Sequence, residues 1–479
     1  MFVLSSMMHI HIIGIAGAGM SAIAHLLLDQ RYRVSGSDTQ HNAQTAALVA
    51  RGAHITLGHA IANVAGVDLV LATSAVRADH LEIAAAHAAG ILVQKRADLW
   101  ANWSAARPVA AVAGTHGKST TSAMLALMLL HAGQEIGYLI GADAPDLPAP
   151  ARWGHAAAPL VIEADEYDRT FLALTPDVAV VTNIEWDHVD IYPVAADVDA
   201  AFHQFVRQVR DPQRVVICAD DQGALRATDL PGAVHVGIDA AIASDPVSCR
   251  RAPLDLAASS VRATASGTVF DVWHYDRTRF AMRLLGTCTT HLSGVHNVRN
   301  ALCAIAAAQL LGASFAACAA GLAAYRGVGR RFEVLGDADG VLLIDDYAHH
   351  PTEVRATLAA ARTRFPGRRL VVYLQPHTYS RTRALFDDWR SAFVDADLVC
   401  IGDVYAAREP HDPAITAAKL ASSLDHIDAR AVGSVAQAAE TIGMLLQPGD
   451  VLLTLGAGDS NRVGQLVRDQ RTLQTVRGI

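Results

Sequence analysis

A glycine-rich turn at residues 114–121 has the residue types of a phosphate-binding loop. The apolar stretch before it predicts a buried strand, and the apolar stretch after it predicts a helix. Gly117, Lys118 and Ser119 then present backbone N–H groups and a helix N-terminus to an anion. A lysine here reaches the β- and γ-phosphates of a nucleotide, and the serine hydroxyl is a ligand for Mg²⁺. Val112 stands where the longer form of this pattern has glycine, so the short turn indicates a subset of ATP users.

Lysine is rare in this chain, which strengthens that interpretation. Only Lys95, Lys118 and Lys419 occur, and arginine supplies the rest of the 39 basic residues. Because one of only three lysines lies in the predicted phosphate loop, we interpret Lys118 as a functional residue rather than as a solvated surface charge. An ordinary helix start remains the alternative.

Acidic and histidine residues follow two further apolar stretches, 160–163 and 178–182, which both predict strands. Ligands of open α/β sheets bind at the carboxyl ends of the strands. A single carboxylate or histidine at a strand end is more often a surface group, so the repeated placement carries the prediction. We therefore expect one Mg-nucleotide to be bound where these residues converge with the turn: Lys118, Ser119, Glu163 and His188.

Two other regions offer polar groups at the ends of predicted elements. His296, Asn297 and Asn300 precede or open an alanine-rich helix, where they would recognise adenine, hold a domain joint or simply cap the helix. Further on, 345–353 and 375–381 again place acidic, histidine and arginine residues after apolar strands. Arg330 and Arg331 stand before them, either to stabilise transition-state charge or as solvated linker charges.

A second glycine loop lies near the N-terminus. Gly17, Gly19 and Ala22 match the dinucleotide-binding fingerprint between a strand and a helix, and Asp38 lies about 20 residues further on. Read alone, this loop predicts an NAD enzyme. The loop itself only binds a pyrophosphate, and any nucleoside diphosphate can place its pyrophosphate on the helix N-terminus. The loop therefore does not select NAD. A purely structural tight turn is the alternative.

The composition is that of a globular protein. Hydrophobic residues make up 52% and charged residues 18%, and the formal net charge of −8 argues against binding to nucleic acid. No apolar run approaches the roughly 18 residues of a membrane span. The six cysteines show no metal-like spacing, and the N-terminus lacks the basic start of a signal peptide. We expect a cytoplasmic protein without a membrane span.

The length and the element pattern predict three α/β domains, at roughly 150 residues each. Residues 1–107 predict a Rossmann-like parallel sheet. Residues 108–326 predict a P-loop ATPase-type sheet with a small antiparallel part around 268–274. Residues 327–479 predict a Rossmann-like sheet that is again parallel.

Taken in order, the motifs resemble the Mur ligase family across nearly the whole chain: GIAGAGMSAIA, SGSD, AGTHGKSTT, EADEYD, TNIEWDH, GVHNVRNA, GRRFE, DDYAHHPTEV and QPHTYSRTR. The resemblance implies an N-terminal UDP-binding domain, a central ATPase domain and a C-terminal Rossmann-like domain. It also implies an activity. In the activity that the resemblance implies, ATP would phosphorylate the lactyl carboxylate of UDP-N-acetylmuramate, and the amine of L-alanine would attack the acyl phosphate. The expected assembly is a monomer or a homodimer.

The resemblance further implies site residues. The catalytic groups would be Lys118, Glu163, His188, Arg331 and Asp346. Two Mg²⁺ ions are expected, one held by Ser119 and Glu163 and one by His188. ATP would contact Gly114, Thr115, His116, Gly117, Lys118, Ser119, Thr120, Asn297 and Asn300. UDP would contact Gly17, Ala18, Gly19, Met20, Ser37, Asp38, His59 and Ser74. The amino acid or the muramoyl carboxylate would contact Tyr347, His349, His377 and Arg381.

One departure indicates the branch of the family. Several sister ligases carry a carbamoylated lysine about fifteen positions after the metal-binding histidine, whereas this chain has His203 there and no lysine between Lys118 and Lys419. This favours the alanine-adding branch or its relative, the murein tripeptide recycling ligase. An NAD(P)-dependent oxidoreductase and a catalytically idle relative are the alternatives from other classes.

Overall fold

The computed structural model describes residues 8–73, 76–77, 79–227, 229–244, 254–276 and 278–477. Within these ranges the chain forms three α/β domains in sequence order. None of the helices in the described ranges combines the length and the apolar character needed to cross a bilayer.

The N-terminal domain is a five-stranded sheet in the order β3-β2-β1-β4-β5, and every pair is parallel, which confirms the predicted sheet type. Its elements are β1 (His9–Ile13), α1 (Ala18–Asp29), β2 (Arg33–Asp38), α2 (Ala43–Ala50), β3 (His54–Leu57), β4 (Leu69–Ala72), α3 (Leu81–Ala88), β5 (Leu92–Lys95) and α4 (Arg96–Ala106).

Strand β2 is longer than its sequence predicts. The pattern predicts an end at Ser35, but the strand continues to Asp38. Gly36 pairs with Ile12 in the neighbouring strand, and a Cβ at Gly36 would lie 2.6 Å from the side chain of Ile15. This glycine therefore lets the chain after β1 cross close over the sheet rather than ending the strand.

The central domain is a ten-stranded sheet in the order β15-β14-β13-β12-β11-β10-β6-β9-β7-β8. Its elements are β6 (Val109–Ala113), α5 (Lys118–His131), β7 (Gly137–Leu139), β8 (Ala151–Arg152), β9 (Leu160–Glu163), β10 (Val178–Val181), α6 (Ala195–Arg207), β11 (Val215–Cys218), α7 (Gln222–Ala227), β12 (Val234–Ile238), β13 (Leu256–Thr264), β14 (Gly267–Asp276), β15 (Ala281–Thr290), α8 (Val295–Leu310) and α9 (Phe315–Ala324).

The strand before the phosphate loop lies in the middle of this sheet. Strand β6 pairs in parallel with β9 on one side and with β10 on the other, and its five residues are all buried. Helix α5 packs on α8 and α9. The predicted antiparallel part is confirmed as β13, β14 and β15. The carboxyl ends of β6, β9 and β10 therefore meet at one edge.

The C-terminal domain is a six-stranded sheet in the order β16-β17-β21-β18-β19-β20. Its elements are β16 (Glu333–Ala338), β17 (Val341–Asp346), α10 (Pro351–Arg364), β18 (Leu370–Leu374), α11 (Tyr379–Ala384), β19 (Leu398–Gly402), α12 (Ala417–Ser423), β20 (Ala429–Gly433), α13 (Val435–Leu445), β21 (Val451–Leu455) and α14 (Asn461–Arg477).

The prediction of a wholly parallel third sheet is wrong at one edge. Strand β16 pairs with β17 in antiparallel register, with Ala338 opposite Val341. The two residues between them, Asp339 and Gly340, both have positive φ, 54° and 76°. Asp-Gly is a strong signal for a two-residue hairpin, so the sequence contains the information for this edge strand.

Candidate active site

The phosphate loop has the backbone that its glycines predict. Gly114 and Gly117 have φ of 141° and 82°, where residues with a side chain are strained. A Cβ at Gly114 would overlap Thr182 Oγ1, and one at Gly117 would lie 2.6 Å from Asn300 Oδ1. Both positions therefore favour glycine for two reasons: the positive φ strains any other residue, and a side chain would collide with its neighbour.

Other residues of this loop are held by Asn183, which follows the neighbouring strand β10. The N–H of Thr115 donates to the carbonyl of Asn183 at 3.0 Å, and the N–H of His116 donates to Asn183 Oδ1 at 2.8 Å. Thr120 is buried and lines the cavity described below. Asn183 thus fixes the first half of the loop, while the N-terminus of α5 supplies its second half.

Lys118 is folded back onto the loop by carboxylates. Its Nζ donates to Glu166 Oε2 at 2.7 Å and to the carbonyl of Gly114 at 2.8 Å, and it lies 3.8 Å from Asp165. Burial opposes the charge of this ammonium, but Glu166 and Asp165 outweigh it and raise its pKa. Lys118 is therefore a cation held in a fixed position at the N-terminus of α5.

Ser119 and Glu163 lie together at the ends of α5 and β9. Ser119 Oγ donates to Glu163 Oε1 at 3.0 Å, and Glu163 Oε2 accepts from the N–H of Gly141 at 2.8 Å. Burial raises the pKa of Glu163, although Lys118 counteracts it. The structure brings together the hydroxyl and carboxylate that the sequence assigns to one cation.

His188 lies beside two carboxylates that follow β9. Its Nε2 is 3.6 Å from Glu166 Oε1, and ligand atoms of Asp165, Glu166 and His188 all lie within 4.8 Å of one another. Among the described residues, Glu166 Oε1 is buried without a hydrogen-bond partner. An oxygen-rich set with one unpartnered carboxylate oxygen fits a hard divalent cation. Asp165 and Glu166 are therefore candidate ligands in addition to those predicted from sequence.

A cavity of about 220 Å³ lies between the central and C-terminal domains. Asn297, Asn300, Arg331 and Asp346, all predicted site residues, line it together with residues of the phosphate loop. Its apolar wall includes Leu292, Val328 and Phe332. An apolar slot with a few amides beside a phosphate loop suits a purine nucleotide.

Asn297 and Asn300 are not helix caps. The N-cap of α8 is Gly294, and Asn297 lies in the first turn, where its Nδ2 donates to the carbonyl of Ser293 at 2.8 Å. Asn300 Nδ2 donates to Asn297 Oδ1 at 3.3 Å. Burial lowers the pKa of the adjacent His296 to about 4, so this ring is neutral. The capping alternative is wrong, and both residues line the cavity.

Arg331 and Asp346 bring the C-terminal domain to this cavity. Arg331 Nη1 lies 3.3 Å from Glu353 Oε1. Asp346 accepts from the N–H groups of Phe332 (2.8 Å) and Ala348 (2.7 Å). Burial raises the pKa of Asp346 to about 6, and Arg331 only partly offsets it.

Arg330, in contrast, is a structural residue. Its Nε donates to Asp345 Oδ2 at 2.9 Å, and its Nη groups donate to the carbonyls of Gly456 and Gly458 and to Ser460 Oγ. The alternative of a solvated linker charge is therefore wrong for Arg330.

A buried ion pair joins the second and third domains at His188. Arg381 Nε donates to Asp187 Oδ1 at 2.6 Å, and both side chains are at most 9% exposed. Arg381 Nη1 lies 2.9 Å from His377 Nδ1, and Nη2 lies 3.4 Å from His188 Nδ1. Burial lowers the pKa of His377 to about 4, with Arg381 adding to the effect.

The remaining predicted substrate residues form an aromatic group beside this pair. The rings of Tyr347 and His349 meet edge to face at 5.4 Å, and His349 meets His377 at 5.8 Å. Tyr405, which the sequence did not single out, stacks on His377 at 5.5 Å. The four residues assigned to the amino acid or its acceptor are thus contiguous in space.

Some residues beside this cleft have a strained backbone. Four non-glycine residues beside it, His188, Arg330, Phe332 and Thr378, have φ between 51° and 62°. Such conformations cost of order 1–3 kcal/mol each and persist where the surroundings enforce them. The strain is consistent with a site whose side chains are held in fixed positions.

The first glycine loop opens α1, as predicted. Gly17 is the N-cap, and helix α1 begins at Ala18. The carboxylate of Asp38 accepts from the N–H of Ala16 at 2.9 Å, so it holds the turn itself. The side chain of Met20 is buried in the hydrophobic core.

Ser37 and His59 meet at a buried carboxylate that the sequence did not reveal. Ser37 Oγ donates to Glu82 Oε2 at 2.7 Å, and His59 Nδ1 lies 3.3 Å from the same oxygen. Burial works against the charge of Glu82, but its hydrogen bonds lower its pKa to about 2. Ser74, a further predicted UDP contact, lies outside the described residues.

Arg96 connects the first domain to the segment of the second domain that follows β9. A Cβ on Gly19 would lie 3.5 Å from Arg96 Nη1, and Arg96 Nη2 lies 3.9 Å from Asp168 Oδ1. Asp168 belongs to the segment that supplies Asp165 and Glu166. The first residue of α4 therefore places a cation beside the N-terminal glycine loop, a role that the spacing of the sequence did not indicate.

Comparison with known proteins gives the same three-part division. Models of the Mur ligase family match residues 9–107 (catalytic domain), 112–308 (middle domain) and 330–458 (glutamate ligase domain). A UDP-N-acetylmuramate–L-alanine ligase of Roseiflexus sp. (strain RS-1) is 63% identical over 462 residues, which cover 96% of this chain and 99% of that protein.

Solved structures agree with this. A UDP-N-acetylmuramate–alanine ligase from Thermotoga maritima has a TM-score of 0.78 at 27% identity, with 98% of this chain and 100% of that chain covered. A murein peptide ligase from Psychrobacter arcticus has a TM-score of 0.70 at 25% identity, covering 97% and 98%. On the match of all three domains and the identity to a full-length relative, this chain belongs to the Mur ligase family.

Proposed function

We propose that the protein is an ATP-dependent ligase that joins L-alanine to the lactyl carboxylate of UDP-N-acetylmuramate, in the synthesis of peptidoglycan precursors. The observation that carries this proposal is the 63% identity, over almost the full length of both chains, to a relative with that name. The cleft supports it, because one phosphate loop faces a second domain that carries cations and an aromatic pocket.

The chemistry follows from the poor reactivity of a carboxylate. An amine cannot displace oxide, so the acid must first acquire a better leaving group. Attack of a lactyl carboxylate oxygen on the γ-phosphorus breaks its bond to the β,γ-bridging oxygen and releases ADP. The amine of L-alanine then attacks the acyl carbon, phosphate leaves, and the amine loses a proton to form the amide.

Residues of the cleft fit these steps. Lys118 and Arg331 approach the nucleotide from opposite domains, where fixed cations stabilise the charge of a transferring phosphoryl group. Asn297 and Asn300 offer amides to the base. Tyr347, His349, His377 and Arg381 surround the space next to His188, where we place the amino acid and the acceptor carboxylate.

Two Mg²⁺ ions are part of the proposal. Ser119 and Glu163 would hold one, and His188 with Asp165 and Glu166 the other, because these donor sets suit a hard dication. Bound there, magnesium neutralises phosphate charge.

The UDP group is assigned to the N-terminal domain. We place its pyrophosphate on the loop Gly17, Ala18, Gly19 and Met20 at the start of α1, with Arg96 beside it. Ser37, Asp38, His59 and Ser74 complete the predicted contacts. We further propose domain limits at 1–107, 108–326 and 327–479, which agree with the separate sheets and with the matched ranges.

A phosphate-release screen tests the function. The protein is incubated with ATP, MgCl₂ and UDP-N-acetylmuramate, and each of L-alanine, glycine, L-serine and the murein tripeptide is added in turn. We expect the highest kcat/KM with L-alanine and one amide formed per phosphate. Preference for the tripeptide would reassign the protein to the recycling branch, and hydride transfer from a nicotinamide without phosphate release would reject ligation altogether. The comparisons favour neither alternative.

A further inference from the structure

The side chain of His116 lies between two carboxylates of different domains. Its Nε2 lies 2.9 Å from Glu185 Oε2 in the central domain, and its Nδ1 lies 3.2 Å from Glu353 Oε1 at the start of α10. The imidazole is 14% exposed. The sequence places His116 among the ATP contacts, but both of its ring nitrogens are directed at protein carboxylates.

Glu353 connects this imidazole to the arginine of the C-terminal domain. The same oxygen, Oε1, lies 3.2 Å from His116 Nδ1 and 3.3 Å from Arg331 Nη1. The other oxygen accepts from the N–H of His349 at 3.0 Å, which fixes the carboxylate to the turn that precedes its helix. One anchored anion therefore holds the phosphate loop and Arg331 at a fixed separation.

Glu185 makes a second connection between the same two domains. Its Oε1 accepts from Thr352 Oγ1 at 3.0 Å, and its Oε2 lies 3.4 Å from His350 Nδ1 as well as facing His116. Burial opposes a charge on His116, but the two carboxylates outweigh it and raise its pKa to about 10. The ring is a cation near neutral pH, and both of its N–H groups donate.

We infer that His116 is a positioning residue that, through Glu353, aligns Arg331 with the phosphate loop when the C-terminal domain is docked. The inference rests on the proposed function, which assigns Arg331 to the transferring phosphoryl group. The phosphate loop then contributes more than phosphate binding, because its histidine couples the position of the second domain to the chemistry. A nucleotide bound by an undocked protein would lack the aligned arginine.

A double-mutant cycle on the full-length protein tests this. The variants are H116Q, R331A and the double variant, with E353Q as an independent way to break the same link. Phosphate release gives kcat and KM for ATP, and calorimetry gives the Kd of ADP. H131Q is the matched control, since His131 is exposed at the other end of α5.

We expect H116Q and E353Q each to lower kcat by about 10-fold or more, with ADP affinity within about threefold of wild type. R331A is expected to cost about 100-fold in the wild type but no more than about tenfold in H116Q, because the misaligned Arg331 has already lost part of its contribution there. H131Q should match the wild type.

Two results would overturn the inference. Additive losses from H116Q and R331A would show that the two residues act independently. A tenfold weaker Kd for ADP in H116Q, with kcat unchanged, would make His116 a nucleotide ligand instead. If the wild type itself released no phosphate with UDP-N-acetylmuramate and L-alanine, the proposed function would fail, and that result is distinguishable because it does not depend on any substitution.

Discussion

At the scale of single residues, the active-site chemistry depends on buried charges that neutralise one another. Lys118 is paired with Glu166, Arg381 with Asp187, and Arg331 with Glu353. The cations could be predicted from sequence because they stand in recognisable motifs. Glu166 and Glu353 also stand in recognisable motifs, EADEYD and DDYAHHPTEV, but the cation that each one faces is set by the packing of the chain.

Replacing Lys118 with alanine should abolish phosphate release. It should also lower the melting temperature, because it leaves Glu166 buried without its main counter-charge, at a cost of about 3–5 kcal/mol. The double variant K118A/E166Q removes the stranded charge and should recover most of the melting temperature but no activity. Near-normal turnover of K118A would contradict the phosphate-loop assignment.

Asp346 should make stability depend on pH. Its pKa is raised from 3.8 to about 6, so the folded state binds a proton more tightly than the unfolded state. Its contribution to stability is therefore complete below pH 3.8 and is lost as the pH rises through 6, a change of about 3 kcal/mol. Denaturation midpoints of wild type and D346N, measured from pH 4 to pH 7.5, should show the wild type losing stability relative to the variant. A difference independent of pH would contradict this.

At the scale of elements, most of the secondary structure could be predicted because apolar runs bounded by turns are local signals. The apolar runs at 160–163, 370–374 and 451–455 each predict a strand, and the structure has strands with those bounds. The full length of the polar strand β2 could not be predicted, because Gly36 looks like a strand end in the sequence. In the structure this glycine is needed where the chain at Ile15 passes close to the strand. The sequence analysis did not predict the antiparallel edge strand β16, although the dipeptide Asp339-Gly340 is typical of the hairpin that joins it to β17.

The start of α5 offers a matched test of the glycine argument. Gly117→Ala forces a side chain into a positive φ of 82° and against Asn300, whereas Gly133→Ala meets the same backbone strain, at φ 77°, with nothing within 4 Å. Both variants should lose about 1 kcal/mol of stability from backbone strain. Only G117A should also weaken ADP binding, by about 10-fold or more, as measured by calorimetry. Equal ADP affinities in the two variants would show that the space beside Asn300 is not needed by the loop.

At the scale of the whole molecule, ion pairs between side chains connect the central domain to each of the other two. The first domain contacts the central domain through Arg96, and the third contacts it through Arg381, which pairs with Asp187, and through Glu353, which pairs with His116. These contacts join residues that lie far apart in the sequence. Motif spacing could therefore predict candidate site residues, but it could not predict which of them contact one another. Enzymes that form a reactive activated acid commonly close their domains around it, which excludes water.

The pair of Asp187 and Arg381 should hold the third domain in place. R381A strands a buried carboxylate, so the docked arrangement should lose stability and the radius of gyration from solution scattering should rise. R390A is the control, because Arg390 pairs with Asp425 on the exposed surface of a single domain. Superimposable scattering curves for wild type and R381A would show that this pair does not govern docking.

The most direct test of the account follows the carboxylate oxygen. UDP-N-acetylmuramate labelled with ¹⁸O in its lactyl carboxylate is turned over with ATP and L-alanine, and the released phosphate is analysed by mass spectrometry. Activation through an acyl phosphate predicts one ¹⁸O in each phosphate formed. Phosphate free of label, with the amide still produced, would contradict the proposal that the cleft transfers a phosphoryl group to the acid.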